Sequence, residues 1–192
     1  MAVRPRTRDR VLREAARLFA RHGFHGTTIE DLGAACGISG PALYKHFSSK
    51  DEVLGQLLGG ISQQLLDGGL AVVAAHPEPG STVAALVAFH ADFAMAEPDL
   101  IRVQDRDLDN LSPGAARRVR SLQRAYVEAW VQALLRVRPD LDADGARVEV
   151  HALFGLLNST PYSGSSPAVR DRTAAMALRA LALQEQPAAS AP

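Results

Sequence analysis

One cysteine in 192 residues leaves no internal disulfide and no cysteine-rich zinc site, and it suits a reducing cytoplasm. Aromatics are scarce at 5%, so packing must rest on aliphatic side chains within a 47% hydrophobic composition, enough for one domain or two small ones. No uninterrupted apolar stretch approaches the roughly 18 residues of a membrane span. The early arginines Arg4, Arg6, Arg8 and Arg10 are not followed by the apolar segment of a secretion signal. Together these absences predict a cytoplasmic protein. Net charge is lacking too, since 21 Lys+Arg balance 21 Asp+Glu. The balance hides segregation: residues 1–50 hold nine Lys/Arg and four Asp/Glu, the remainder twelve and seventeen. A head of +5 therefore precedes a body of −5, and that asymmetry suggests a polyanion as the partner of the head.

What is present is helical periodicity. Apolar residues recur at three- and four-residue spacing nearly throughout and nothing reads as a strand, which predicts an all-α fold of about nine helices. Val11, Leu12, Ala15, Ala16, Leu18 and Phe19 form one stripe of a first helix over residues 6–22, closed by Gly23. Thr28 caps a second helix with Asp31 three residues on, and Gly37 ends it in a tight turn with Ile38 as the buried plug. Pro41 suits the first turn of a short third helix, with Leu43 and Phe47 as its inward pair. Ser49 and Glu52 form a capping box for a long fourth helix towards residue 75. Further breaks at residues 76–80, Pro98, Ser112-Pro113, Pro139 and Ser166-Pro167 delimit five more helices. The expected organisation is a head over 1–50, a body over 51–185 bridged by the fourth helix, and a disordered tail over 186–192.

Three short helices with a tight glycine turn between the second and third are a helix-turn-helix candidate. The string over residues 11–54, VLREAARLFARHGFHGTTIEDLGAACGISGPALYKHFSSKDEVL, resembles the DNA-binding domain of TetR/AcrR-family transcriptional regulators. The matching blocks are AA-x-LF-x-x-x-GF, TTI-x-x-L and ISGPALYKHFSSK-[DE]. That resemblance implies double-stranded operator DNA as partner, bound by a homodimer. It implies backbone contacts from Thr27, Thr28, Tyr44, His46 and Lys50, with base reading by Ser39, Gly40, Pro41, Ala42 and Lys45. Of these, Lys45 is the long cation suited to guanine, while Pro41 and Ala42 offer apolar contact to thymine methyls. The early arginines suit an adjacent minor groove, although a solvated basic terminus reads the same way. Cys36 lies on a core stripe, and His22 and His25 flank a helix end rather than share a face, so no metal site is expected.

In the body, the eighth helix (about 142–158) is apolar nearly all round and the ninth (167–184) is rich in small residues, which suits a four-helix interface with a second copy. Phe89, His90, Phe93, Gln123, Tyr126 and Trp130 are ligand-pocket candidates. Arg117, Arg120 and Arg124 share one face of the seventh helix and would suit a phosphorylated head on an apolar ligand, such as an acyl-CoA thioester. The same aromatic spacing also describes plain core, and the arginine face a solvated surface. Residues 154–163 with Trp130 are similar to lipid- and steroid-catabolism regulators within the family. No nucleophile elbow, HExxH, Glu-x-x-His pair or phosphate loop is present, so neither an enzyme nor a cofactor is expected. The sequence leaves two readings: a repressor released by a small hydrophobic or acyl-CoA-like ligand, or a regulator of the same fold with no small ligand.

Overall fold

The computed structural model describes residues 7–164 and 166–181. Arg4, Arg6, the last residues of the expected helix 167–184 and the expected tail lie outside the described residues. The order is α1 Thr7–His22, α2 Ile29–Ala35, α3 Gly40–Leu43, α4 Lys50–Ala75, α5 Pro79–Ala96, α6 Pro98–Asp107, a 3-10 turn Leu108–Asn110, α7 Pro113–Leu135, α8 Ala143–Leu157, α9 Thr160–Ser163 and α10 Pro167–Ala180. Among the described residues there is no strand. The one-turn α9 was not anticipated, although Pro161 in its first turn is the usual signal.

Packing groups the chain into two compact units, residues 7–64 with 97–123 and residues 65–96 with 124–181, so the division falls inside α4 and α7 rather than at residue 50. In the first unit α1 packs on α2 and α6, and α2 on α3. Val11, Ala15, Phe19, Leu32, Leu43, Phe47, Val53, Leu54 and Leu58 are buried there. Each of the larger side chains contributes about 1.5–3 kcal/mol by leaving water. In the second unit α5, α8 and α10 pack together with the far half of α7 around Leu86, Val87, Trp130, Val131, Leu134, Val150, Leu153, Leu157 and Ala177.

Capping follows the local sequence closely. Asp142 accepts from the Gly145 N–H at 2.7 Å, and the Ser166 hydroxyl accepts from the Val169 N–H at 3.3 Å. At the start of α4 the expected box is split between neighbours. The Ser49 hydroxyl accepts from the Glu52 N–H at 3.1 Å, but the Glu52 carboxylate reaches one residue further back, to the N–H and hydroxyl of Ser48 at 2.6 and 2.7 Å. Helix α4 is long and apolar enough to cross a membrane by length and composition. Its apolar side chains Val53, Leu54, Leu57, Leu58, Ile61 and Leu65 are buried within protein.

Candidate functional site

The reading head is built from short-range contacts. The Thr28 hydroxyl accepts from the Asp31 N–H at 3.1 Å, and the Asp31 carboxylate accepts from the Thr28 hydroxyl at 2.7 Å and the Thr28 N–H at 2.9 Å. These bonds to the Thr28 side chain and backbone hold the Asp31 carboxyl below the usual range. Gly37 takes φ +63°, the left-handed conformation that favours glycine, and the Ile38 N–H returns to the Gly33 carbonyl at 2.9 Å. The turn is tight: a Cβ on Gly33 would stand 2.8 Å from the Ile38 carbonyl oxygen. Ile38 is only half-buried, so the expected plug is partial, and Leu43 and Phe47 seat the motif instead, each 1% exposed or less.

From that seat α3 presents its other side. The Ser39 hydroxyl caps it by accepting from the Ala42 N–H at 3.3 Å. Ser39, Pro41, Tyr44 and Lys45 are exposed, Gly40, Ala42 and His46 half-buried. At 54% exposure Tyr44 is an aromatic with no core to serve.

Three residues expected at the DNA also have partners within the chain. Thr27 is 1% exposed, and its hydroxyl donates to the carbonyls of Gly23 at 2.9 Å and Leu18 at 3.4 Å, closing the end of α1, so it faces the core rather than a phosphate. The Thr28 hydroxyl is occupied by Asp31. Lys50 donates to the carbonyls of Phe24 and Thr27 at 2.7 and 2.8 Å. Arg8, expected in a basic arm, lies within α1 and donates to the His46 carbonyl and to Gln56, both at 2.9 Å, with its guanidinium 4.7 Å from the Phe47 ring centroid. It braces the end of the α3 segment.

A second brace carried no sequence signal. Asp107 is 3% exposed and accepts from the Phe24 N–H at 3.4 Å, while Arg106 donates to Asp107 and to the α1 carbonyls of Phe19 and Ala20. Asn110 and the His25 ring meet at 2.8 Å. In the sequence this charged run looks like surface, because its partners lie more than 80 residues away.

The body candidates divide between the units. Phe93, Tyr126 and Trp130 gather around His90, which is 3% exposed. Its Nδ1 lies 3.1 Å from the Tyr126 hydroxyl, and its Nε2 lies 3.0 Å from the Asn158 side-chain oxygen. Phe154 stacks on His90 at 4.7 Å between centroids and on Tyr126 at 5.4 Å. Asn158 and Phe154 were missing from the expected set. Burial holds the His90 pKa down to about 4, against a smaller upward pull from Asn158, and pushes the Tyr126 phenol up. Phe89 is half-buried and packs where Gly68 has no side chain. Arg120 and Gln123 belong to the first unit, where Arg120 pairs with Asp109 at 3.7 Å, and Arg124 is exposed. Among the described residues no group of three or more His, Cys, Asp or Glu is placed to hold a metal.

A family model described as bacterial regulatory proteins, tetR family, matches residues 11–57. The chain is 29% identical over 146 residues to the HTH-type transcriptional repressor KstR2 of Mycobacterium tuberculosis, covering 71% of this chain and 72% of that one. Two other curated relatives are spanned over only 16% and 39% of their length. Among solved structures, AibR in complex with isovaleryl coenzyme A and operator DNA shares the fold, with TM-score 0.74 and 17% identity, over 89% of this chain and 97% of that one. A TetR-family transcriptional regulator from Bordetella parapertussis superposes with TM-score 0.82 and 31% identity, over 91% of this chain and 95% of that one. With that identity sustained along nearly the whole of a family member, and the family's pattern over its reading head, this chain belongs to the TetR family of bacterial transcriptional regulators.

Proposed function

We propose that the chain is a cytoplasmic DNA-binding repressor that occupies a palindromic operator as a homodimer and leaves it when a small apolar or acyl-CoA-like ligand binds the body. The observation that carries the reading is the exposed ridge over residues 39–45, held on a buried seat of Leu43 and Phe47 and set in the basic head of the chain. Lys45 reads a base, while Tyr44 and His46 position the head on phosphates. Lys50 has one ammonium proton left after its two carbonyls and contributes positive potential beside them.

Dimerisation is supported by uncovered apolar surface. Val148, Ala152 and Gly155 recur along one face of α8 and are exposed, Val148 at 69%, and Met176 on α10 is 42% exposed. Faces of this kind on two copies form an isologous four-helix interface, and the operator then mirrors the two-fold with half-sites about 34–36 Å apart. The acyl-CoA direction is supported by AibR, whose complex holds isovaleryl coenzyme A and operator DNA. Helix α4 contributes residues 50–64 to the first unit and 65–75 to the second, so one continuous helix links ligand to head.

Footprinting on DNA selected from a random pool is the test. Two symmetric protected half-sites are expected, with affinity falling steeply as salt rises, by about 0.9 log units per log unit of salt for each phosphate neutralised. A single asymmetric half-site, or a slope near zero, rejects the reading. A thermal-shift screen then separates the ligand-responsive regulator from one without a ligand, because a compound that binds the native state raises Tm.

A further inference from the structure

The sole tryptophan of the chain, Trp130, is 2% exposed, and its indole N–H makes no hydrogen bond. Indole is a donor only, and leaving such a group buried and unpaired costs about 1–3 kcal/mol. Folded proteins satisfy nearly all buried polar groups, so an orphan in the middle of an aromatic cluster calls for a partner. No neighbour meets it at full hydrogen-bond geometry. Asn158 presents an oxygen to His90 Nε2, so Nε2 carries the ring proton and Nδ1 accepts from the Tyr126 hydroxyl. The Tyr126 oxygen is close enough to accept weakly from the indole N–H, which offsets part of the effect of burial on the phenol, but it lies outside full hydrogen-bond geometry and leaves the donor largely unspent. Trp130 stands edge-on to Tyr126, His90 and Phe154, at 6.1, 6.1 and 5.1 Å between centroids. Phe154 lies flat over His90 and Tyr126 and is only half-buried, as are Phe93 and Asn158.

We propose that Trp130 Nε1 is the recognition donor for an uncharged carbonyl oxygen on an apolar ligand, an acyl thioester or a ketone, which enters where the half-buried Phe154 ring swings aside. The inference rests on the ligand-responsive reading above and narrows it. The site offers one neutral donor at the indole, and His90 beside it is uncharged at neutral pH. A carboxylate there would lose its hydration for a single neutral partner, so a free fatty acid is rejected where its thioester is accepted.

The uniformly ¹⁵N-labelled full chain tests this, because a single tryptophan contributes a single indole ¹H–¹⁵N resonance. Four probes are used: octanoyl-CoA, S-octyl-CoA with a thioether in place of the carbonyl, 2-nonanone, and octanoate. Octanoyl-CoA is expected to move the indole proton downfield and to bind about tenfold more tightly than S-octyl-CoA, the ratio for one lost hydrogen bond of about 1.4 kcal/mol. Trp130→Phe is expected to erase that ratio while S-octyl-CoA still binds, and the wild-type resonance decides the matter even if the variant folds poorly. A shift with 2-nonanone and none with octanoyl-CoA assigns the site to ketones. Probes that bind by other resonances but leave the indole unmoved overturn the proposal and spare the ligand-responsive reading. An octanoate that moves the indole as octanoyl-CoA does overturns the proposal too. Should none of the four disturb any resonance, both fall.

Discussion

Lys50 closes on Phe24 twice: its ammonium donates to the Phe24 carbonyl at 2.7 Å and stands 4.4 Å from the centroid of the same residue's ring. With the Thr27 carbonyl as a second acceptor, the first residue of α4 ties down the turn between α1 and α2. Lys50→Met should therefore lose stability as well as DNA affinity. The expected destabilisation is about 1.5–3 kcal/mol, the range of hydrogen bonds to a charged group, and urea unfolding measures it. An unchanged midpoint with weakened DNA binding would return Lys50 to a purely phosphate-contacting role.

Lys45 is exposed and makes no internal bond among those described, so Lys45→Ala should leave the unfolding midpoint within about 0.5 kcal/mol. Its effect should fall on specificity, relaxing preference at one base position by about 1–3 kcal/mol. Binding to selected and random DNA measures the difference. Equal losses on both would remove Lys45 from base reading.

His90 makes the second unit sensitive to acid. Its folded pKa, about 4, lies below the ordinary value of 6.5, so between those values the unfolded chain binds a proton that the folded chain refuses. Stability from this group is complete above about pH 6.5 and is lost as pH falls towards 4, by on the order of 3 kcal/mol. Burial raises the Glu97 and Asp105 carboxyls, which act in the opposite sense. The measurement is therefore the difference between wild type and His90→Gln in urea unfolding from pH 7.5 to 4.5. The variant should show the shallower fall, and parallel curves would mean His90 titrates normally.

Two glycines of α4 should respond in opposite ways to alanine. A Cβ on Gly69 would stand 2.5 Å from Tyr126 Cε2, so the ring must shift and strain its bond to His90, at about 1–3 kcal/mol. Gly60 is exposed with nothing within 4 Å, and Gly60→Ala should stabilise by up to about 1 kcal/mol through helix propensity alone. Thermal unfolding compares them. A neutral Gly69→Ala would show that the Tyr126 ring moves freely.

If the exposed faces of α8 and α10 meet a second copy, Val148→Asp with Met176→Asp should convert dimer to monomer without unfolding it, since neither side chain is buried within the chain. Sedimentation equilibrium reads the mass and circular dichroism the fold. A dimer that survives both changes lies elsewhere.

What could be read from the sequence was what a turn or two of chain encloses. Thr28 and Asp31, Asp142 and Gly145, Ser166 and Val169 are three residues apart, and Gly37 needs only its own backbone. Leu43 and Phe47 repeat at helical spacing, so their burial follows from the pattern. The family was legible for the same reason, because its reading head is one continuous run. Tertiary packing decided which polar groups face inward. Thr27 and Thr28 are adjacent, yet one is buried and one exposed. Lys50, Arg8 and Asp107 find partners 23 to 83 residues away, and Asn158 reaches His90 across 68. A side chain's residue type sets how many hydrogen bonds it must make. Only the fold, by removing water from one flank of a helix and bringing distant carbonyls to it, determines with whom.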